Sequence, residues 1–99
     1  MQIKDIQERI GYFRTKLNLS ARELSLRIGK HGAYIAKFES GGFHMPIDVL
    51  LQIIEELKIS PKHFFADNYH NFEADNELYE VIKALPSDKK KTLLEFLKK

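Results

Sequence analysis

His31, His44, His63 and His70 are the side chains best suited to ligate a metal or move a proton, and their spacing matches no metal-ligand pattern such as HExxH. Neither a glycine-rich phosphate loop nor a nucleophile elbow is present. Cysteine is absent, which removes thiolate zinc sites, iron–sulfur ligation, disulfides and a thiol nucleophile, and suits a reducing compartment. The carboxylates are scattered as on any polar helix surface. No catalysis, metal or cofactor is therefore expected.

What remains is charge. Residues 1–46 carry eight Lys/Arg against four Asp/Glu, whereas residues 47–99 carry eight against ten, so the overall +2 conceals a basic front and an acidic back. A basic half on a near-neutral chain points to a polyanionic partner. With 99 residues the chain is the size of one compact unit, in which a deep ligand cavity is hard to enclose and surface binding is favoured. No stretch approaches the roughly 20 apolar residues of a membrane span, and Met1-Gln2-Ile3-Lys4-Asp5 is not a signal peptide; a soluble, cytoplasmic protein is expected.

The elements that must position this charge are helices. Ile3, Ile6, Ile10, Phe13 and Leu17 recur at steps of three or four and predict an amphipathic helix over roughly 4–16, ending at Asn18. Ser20-Ala21-Arg22-Glu23 is a capping box opening a second helix of about eight residues, which carries Leu24 and Ile28 inward and stops at Gly29. Ile35 and Phe38 mark a third short helix closed by Gly41-Gly42. Pro46 starts a fourth, with Leu50, Ile53, Ile54 and Leu57 on one side, and Ser60-Pro61 starts a fifth, whose Phe64 and Phe65 clasp it to the core. Residues 67–75 form an acidic connector between a domain at 1–66 and a helical hairpin at 76–99, whose stripes are Leu78, Ile82 and Leu85 and, beyond Pro86, Leu93, Leu94 and Leu97. No period-two alternation stands out, so the class is all-α.

Ala21 to Ser40 holds a small residue at its fifth place (Ser25), glycine at its ninth (Gly29), an aliphatic at its fifteenth (Ile35) and a large apolar residue at its eighteenth (Phe38). Two helices meeting at about 90–120° through a three- or four-residue turn need a small side chain where they approach and a glycine at the corner. This is a helix-turn-helix, whose second member enters the major groove of DNA while the first lies across the backbone.

The ordered set Arg14, Leu19-Ser20, Glu23-Leu24, Ile28-Gly29, Tyr34-Ile35, Phe38-Glu39, Gly41, Pro46, Leu50, Ile53, Leu57, Ser60-Pro61 and Phe64-Phe65 resembles the XRE helix-turn-helix regulators, related to phage Cro and repressor proteins. Residues 20–29 and 59–65 are most similar to a branch found in Gram-positive bacteria and their mobile elements. The resemblance spans roughly residues 4–66 and implies a five-helix domain, binding of double-stranded operator DNA as a homodimer, and repression of transcription. It also implies an ion pair between Arg14 and Glu39. Helix three, about 31–39, would lie in the groove. The positions that would read it are Lys30, His31, Ala33, Tyr34, Ala36 and Lys37, with Gly32 only letting the backbone approach DNA closely and leaving its amide for a phosphate; Arg22, Arg27, Lys30, Ser40, Gly42 and His44 would flank it as backbone contacts. Lys37 could reach guanine O6/N7 or a phosphate, Ala33 could touch a thymine methyl, His31 could instead cap the helix, and Tyr34 could instead pack.

The glutamine that usually opens helix two in this family is Ala21, and Gly32 and Ala33 stand where polar readers are common. Those departures support a second reading, a protein-interaction module that keeps the fold with weak DNA binding and a regulatory protein partner. Lys89-Lys90-Lys91 reads as the solvated start of the last helix. The hairpin at 76–99 is the expected dimerisation element, with folding back onto its own domain as the alternative.

Overall fold

A computed structural model describes residues 1–98. Its elements are α1 (Ile3–Lys16), α2 (Ala21–Arg27), α3 (Tyr34–Glu39), α4 (Ile47–Glu56), α5 (Pro61–Phe65), a 3-10 turn (Tyr69–Asn71), α6 (Phe72–Lys83) and α7 (Ser87–Leu97), with no strand among the described residues. The fold is all-α. The chain divides into two compact units, the first from Met1 to Phe65 and the second from Ala66 onward.

In the first unit, sharp reversals let five short helices face one centre. Residues Asn18 (φ 54°) and Gly29 (φ 77°) adopt the left-handed conformation just past α1 and α2, and Gly41 (φ 89°) does so past α3. Each reversal is closed by the same pair of hydrogen bonds, for example Gly42 N to Lys37 O at 2.8 Å and Gly41 N to Phe38 O at 2.9 Å. The helix starts are capped as well: the Ser20 hydroxyl accepts from Glu23 N, and the Ser60 hydroxyl from His63 N, both at 3.0 Å.

The enclosed core comprises Ile10, Phe13, Leu19, Leu24, Ile28, Ile35, Phe38, Val49, Leu50, Ile53, Ile54, Leu57 and Phe64. Ile3 and Leu17, at the two ends of the α1 stripe, are exposed, and so is Phe65, which meets Phe64 edge-on instead of entering the core. One charged side chain is taken inside. Arg9 is 7% exposed and donates from Nη1 to the Phe64 carbonyl at 2.6 Å, tying the end of α5 to α1.

In the second unit, α6 begins at Phe72, four residues before the start expected from sequence, so the acidic segment 67–75 is not a plain connector. It holds the 3-10 turn and the first turn of α6. Glu73 and Asp75 stand in that first turn, where the positive end of the helix dipole favours carboxylates. Asn68 also donates to Asp75 Oδ2 at 2.6 Å. No residue of α6 or α7 is buried. Among the described residues no helix is long and apolar enough to cross a membrane, and no group of three His, Asp or Glu residues is arranged to hold a metal ion.

Candidate nucleic-acid interface

Ser25 sets the geometry of the two central helices. It is fully buried; its hydroxyl donates to Ala21 O at 2.7 Å and accepts from Ile35 N at 2.9 Å, so one oxygen joins α2 to the first turn of α3. The sequence marks this position as small. The structure shows that a hydroxyl is used there as well as a small volume.

The opposite end of α3 is held by charge. Arg14 grips Glu39 through two hydrogen bonds, Nε to Oε2 at 3.0 Å and Nη2 to Oε1 at 2.8 Å, while its Nη1 donates to Leu19 O at 3.1 Å. Both side chains are about one-fifth exposed. Gly11 makes the approach feasible, since a Cβ there would stand 3.1 Å from Glu39 Oε1. Neither Gly11 nor Arg9 carries a sequence signal beyond interrupting the polar and apolar pattern of α1.

Helix three is shorter than the expected 31–39, beginning at Tyr34, and the link from α2 runs over residues 28–33 instead of a three- or four-residue turn. Lys30 N is drawn back to Ser25 O to close α2, and Tyr34 N bonds His31 O, so 31–33 form a turn of their own. Within it His31 Nδ1 accepts from Ala33 N at 3.3 Å. Thus His31, Gly32 and Ala33 lie on a rim before α3. Of the six residues of α3, Ile35 and Phe38 are buried and Ala36 and Lys37 are exposed.

Aromatic packing fixes one flank of this surface. The Tyr34 ring lies 4.7 Å from that of Phe43, which lies 5.7 Å from Phe38, and Lys30 Nζ sits 5.4 Å above the Tyr34 ring. Burial, and secondarily the negative charge of Asp48, push the Tyr34 phenol above its ordinary pKa. Phe43 escapes the sequence reading because a single aromatic in a loop has no periodicity to reveal it.

The remaining candidates are distributed as follows. Arg22, Arg27, Ser40 and His44 are exposed, as are Ala33 and His31, while Lys30 and Gly32 are partly covered. The Ser40 hydroxyl donates to Lys37 O at 2.9 Å, and the Gly42 amide is engaged by that same carbonyl. Gly42 therefore has no amide to offer a phosphate; its glycine is required because a Cβ would stand 2.8 Å from Lys37 O. Between Ala21 and His44 the acidic residues are Glu23 and Glu39, and Glu39 is neutralised by Arg14, so Arg22, Arg27, Lys30 and Lys37 leave the local balance positive.

A buried hydroxyl joins α2 to α3, an ion pair holds the far end of α3, and the exposed residues around the two helices carry a net positive charge. The helix-turn-helix family model matches residues 10–64, more than half of the chain and wholly within the first unit. No curated protein and no solved structure gave a significant match. The chain belongs to the XRE family of helix-turn-helix proteins, which are DNA-binding transcription regulators.

Proposed function

We propose that the protein is a sequence-specific repressor that binds a pseudo-palindromic operator as a homodimer, with α3 in the major groove and the 31–33 rim at its mouth. The observation that carries this reading is the division of α3, whose Ile35 and Phe38 are locked inward while Ala36 and Lys37 face solvent beside a basic surround. Lys37 is the direct base or phosphate contact. Arg22, Arg27, Lys30 and His44 are backbone contacts, with the alanines offering apolar surface to thymine methyls.

The second unit supplies the dimer contact. Leu78, Tyr79, Val81, Leu94, Phe96 and Leu97 are exposed, Phe96 by 71%. The two helices also differ in charge: α6 carries Glu73, Asp75, Glu77 and Glu80 against Lys83, while α7 carries Lys89, Lys90 and Lys91 against Asp88 and Glu95. Such opposite faces on one chain are self-complementary between two copies.

The test is a titration of the full chain against DNA flanking its own gene. Saturable binding, a steep decline with salt and half-site centres about 34–36 Å apart are expected. Absence of saturable, salt-sensitive binding overturns the reading. A second reading is favoured by Ala21, Gly32 and Ala33, which leave the reading positions without amide side chains. In that case the fold serves as an interaction module, and a larger regulator is captured by a protein that binds every DNA weakly.

A further inference from the structure

Gly32 is not a glycine for reasons of backbone conformation. The glycines with left-handed φ are Gly29 and Gly41, and Gly32 is not among them. What occupies the space beside residue 32 is a neighbouring side chain. A Cβ there would collide with Nη1 of Arg22 and would lie 3.1 Å from its Cζ and 3.3 Å from its Cγ. Arg22, the second residue of α2, is thus laid along the link that leads into α3, with its stem and its head both against residue 32.

Despite that confinement the guanidinium has no internal acceptor. Among the described residues no carboxylate or carbonyl takes a hydrogen bond from Arg22, which is exposed. The side chain lies against the link without an internal partner, and its donors are left for an external ligand. A guanidinium offers five N–H donors in a planar fork that matches a phosphate bidentately. An arginine already resting against a backbone surface loses less side-chain freedom on binding than one waving in solvent.

We propose that Gly32 is a positioning residue for Arg22, and that Arg22 contacts a DNA backbone phosphate, in place of the amide side chain absent at Ala21. The inference rests on the groove reading above. It makes the two positions a coupled pair: the empty space at 32 matters only because of the side chain at 22.

The test uses the full chain and two duplexes of equal length, one selected by the wild-type protein from a random pool and one scrambled. Affinity is measured across a salt series, and each variant is melted thermally. Arg22→Ala is expected to weaken binding to both duplexes about five- to tenfold and to reduce the salt slope by about one. Gly32→Ala is expected to reproduce most of that affinity loss with an unchanged melting temperature, since a flexible side chain can move aside. The double variant is expected to bind no more weakly than Arg22→Ala alone, and Arg22→Lys to restore the salt slope but only part of the affinity.

Wild-type affinity in Gly32→Ala, or losses that add in the double variant, overturns the positioning role. Loss confined to the selected duplex in Arg22→Ala overturns the phosphate assignment in favour of base reading. If wild-type protein binds neither pool nor scrambled DNA, the groove reading itself fails, an outcome distinct from those two. Should Gly32→Ala lower the melting temperature, its affinity loss has a structural origin and the positioning role is again overturned.

Discussion

Residues 1–65 and residues 66–98 are both built from amphipathic helices, yet the first region contains every buried apolar side chain of the described structure and the second contains none. Their apolar stripes are not very different in quality. The turns between helices are. In the first region Asn18, Gly29, Gly41 and Lys58 adopt left-handed φ just past four successive helices, folding the stripes toward a common centre. In the second, α6 and α7 are separated by the short segment around Pro86, so each stripe has at most one neighbour within its own unit. A helical pattern states which side wants to be covered; the corners decide whether a single chain can cover it.

Truncation of core side chains should expose this contrast most strongly. Leu24→Ala, which empties a fully buried site, is expected to cost about 3–4 kcal/mol of unfolding free energy in urea. A cost below about 1 kcal/mol would show the first unit to be loosely packed, and the distinction between the regions would fail. Arg14→Ala leaves the Glu39 carboxylate and the Leu19 carbonyl without their partner. Because the pair is about one-fifth exposed, about 2 kcal/mol is expected instead of the larger loss from a deeply buried pair.

Ser25→Ala keeps the small volume and strands the Ile35 amide, so a loss of about 1–2 kcal/mol would separate the role of the hydroxyl from that of its size. In the second region Phe96→Ser should change unfolding free energy by less than about 0.5 kcal/mol while weakening self-association in sedimentation. A loss comparable to Leu24→Ala would place Phe96 in a core after all. The smallest effect is alkaline. Since the Tyr34 phenol is raised in the folded state, the stability due to its neutral form is complete below the ordinary tyrosine pKa of about 10 and is lost as pH climbs through the folded value. Tyr34→Phe should therefore flatten that part of the pH–stability curve.

Most of the architecture was legible in residue spacing. The centre of the α1 stripe (Ile10 and Phe13), the hydroxyl half of the Ser20 capping box, the Gly29 corner, the Pro46 start of α4 and the Ser60-Pro61 start of α5 are local signals, and local signals survive folding. The start of α3 was not legible, because Lys30 to Ala33 have no capping side chain that marks Tyr34; Lys30 N instead bonds back to Ser25 O. The start of α6 was obscured for the opposite reason, an acidic first turn resembling a polar linker.

At the candidate interface the residue types were readable and their engagements were not. Nothing in the order of residues indicates that Gly42 spends its amide on Lys37, that Arg22 lies on Gly32, or that Phe43 backs Tyr34. Arg9 was missed because a charged residue beside an apolar stripe is ordinarily solvated, and only the nearby Phe64 carbonyl gives it a reason to be inside.

The way α3 apportions its side chains has an evolutionary consequence. With Ile35 and Phe38 anchored beneath and Ala36 and Lys37 bearing no packing duty, amino-acid exchanges at the outer places are nearly invisible to folding. Selection can therefore retune what the outer surface prefers in a few steps while the scaffold is left alone, and a randomised library at 33, 36 and 37 should yield mostly well-folded clones.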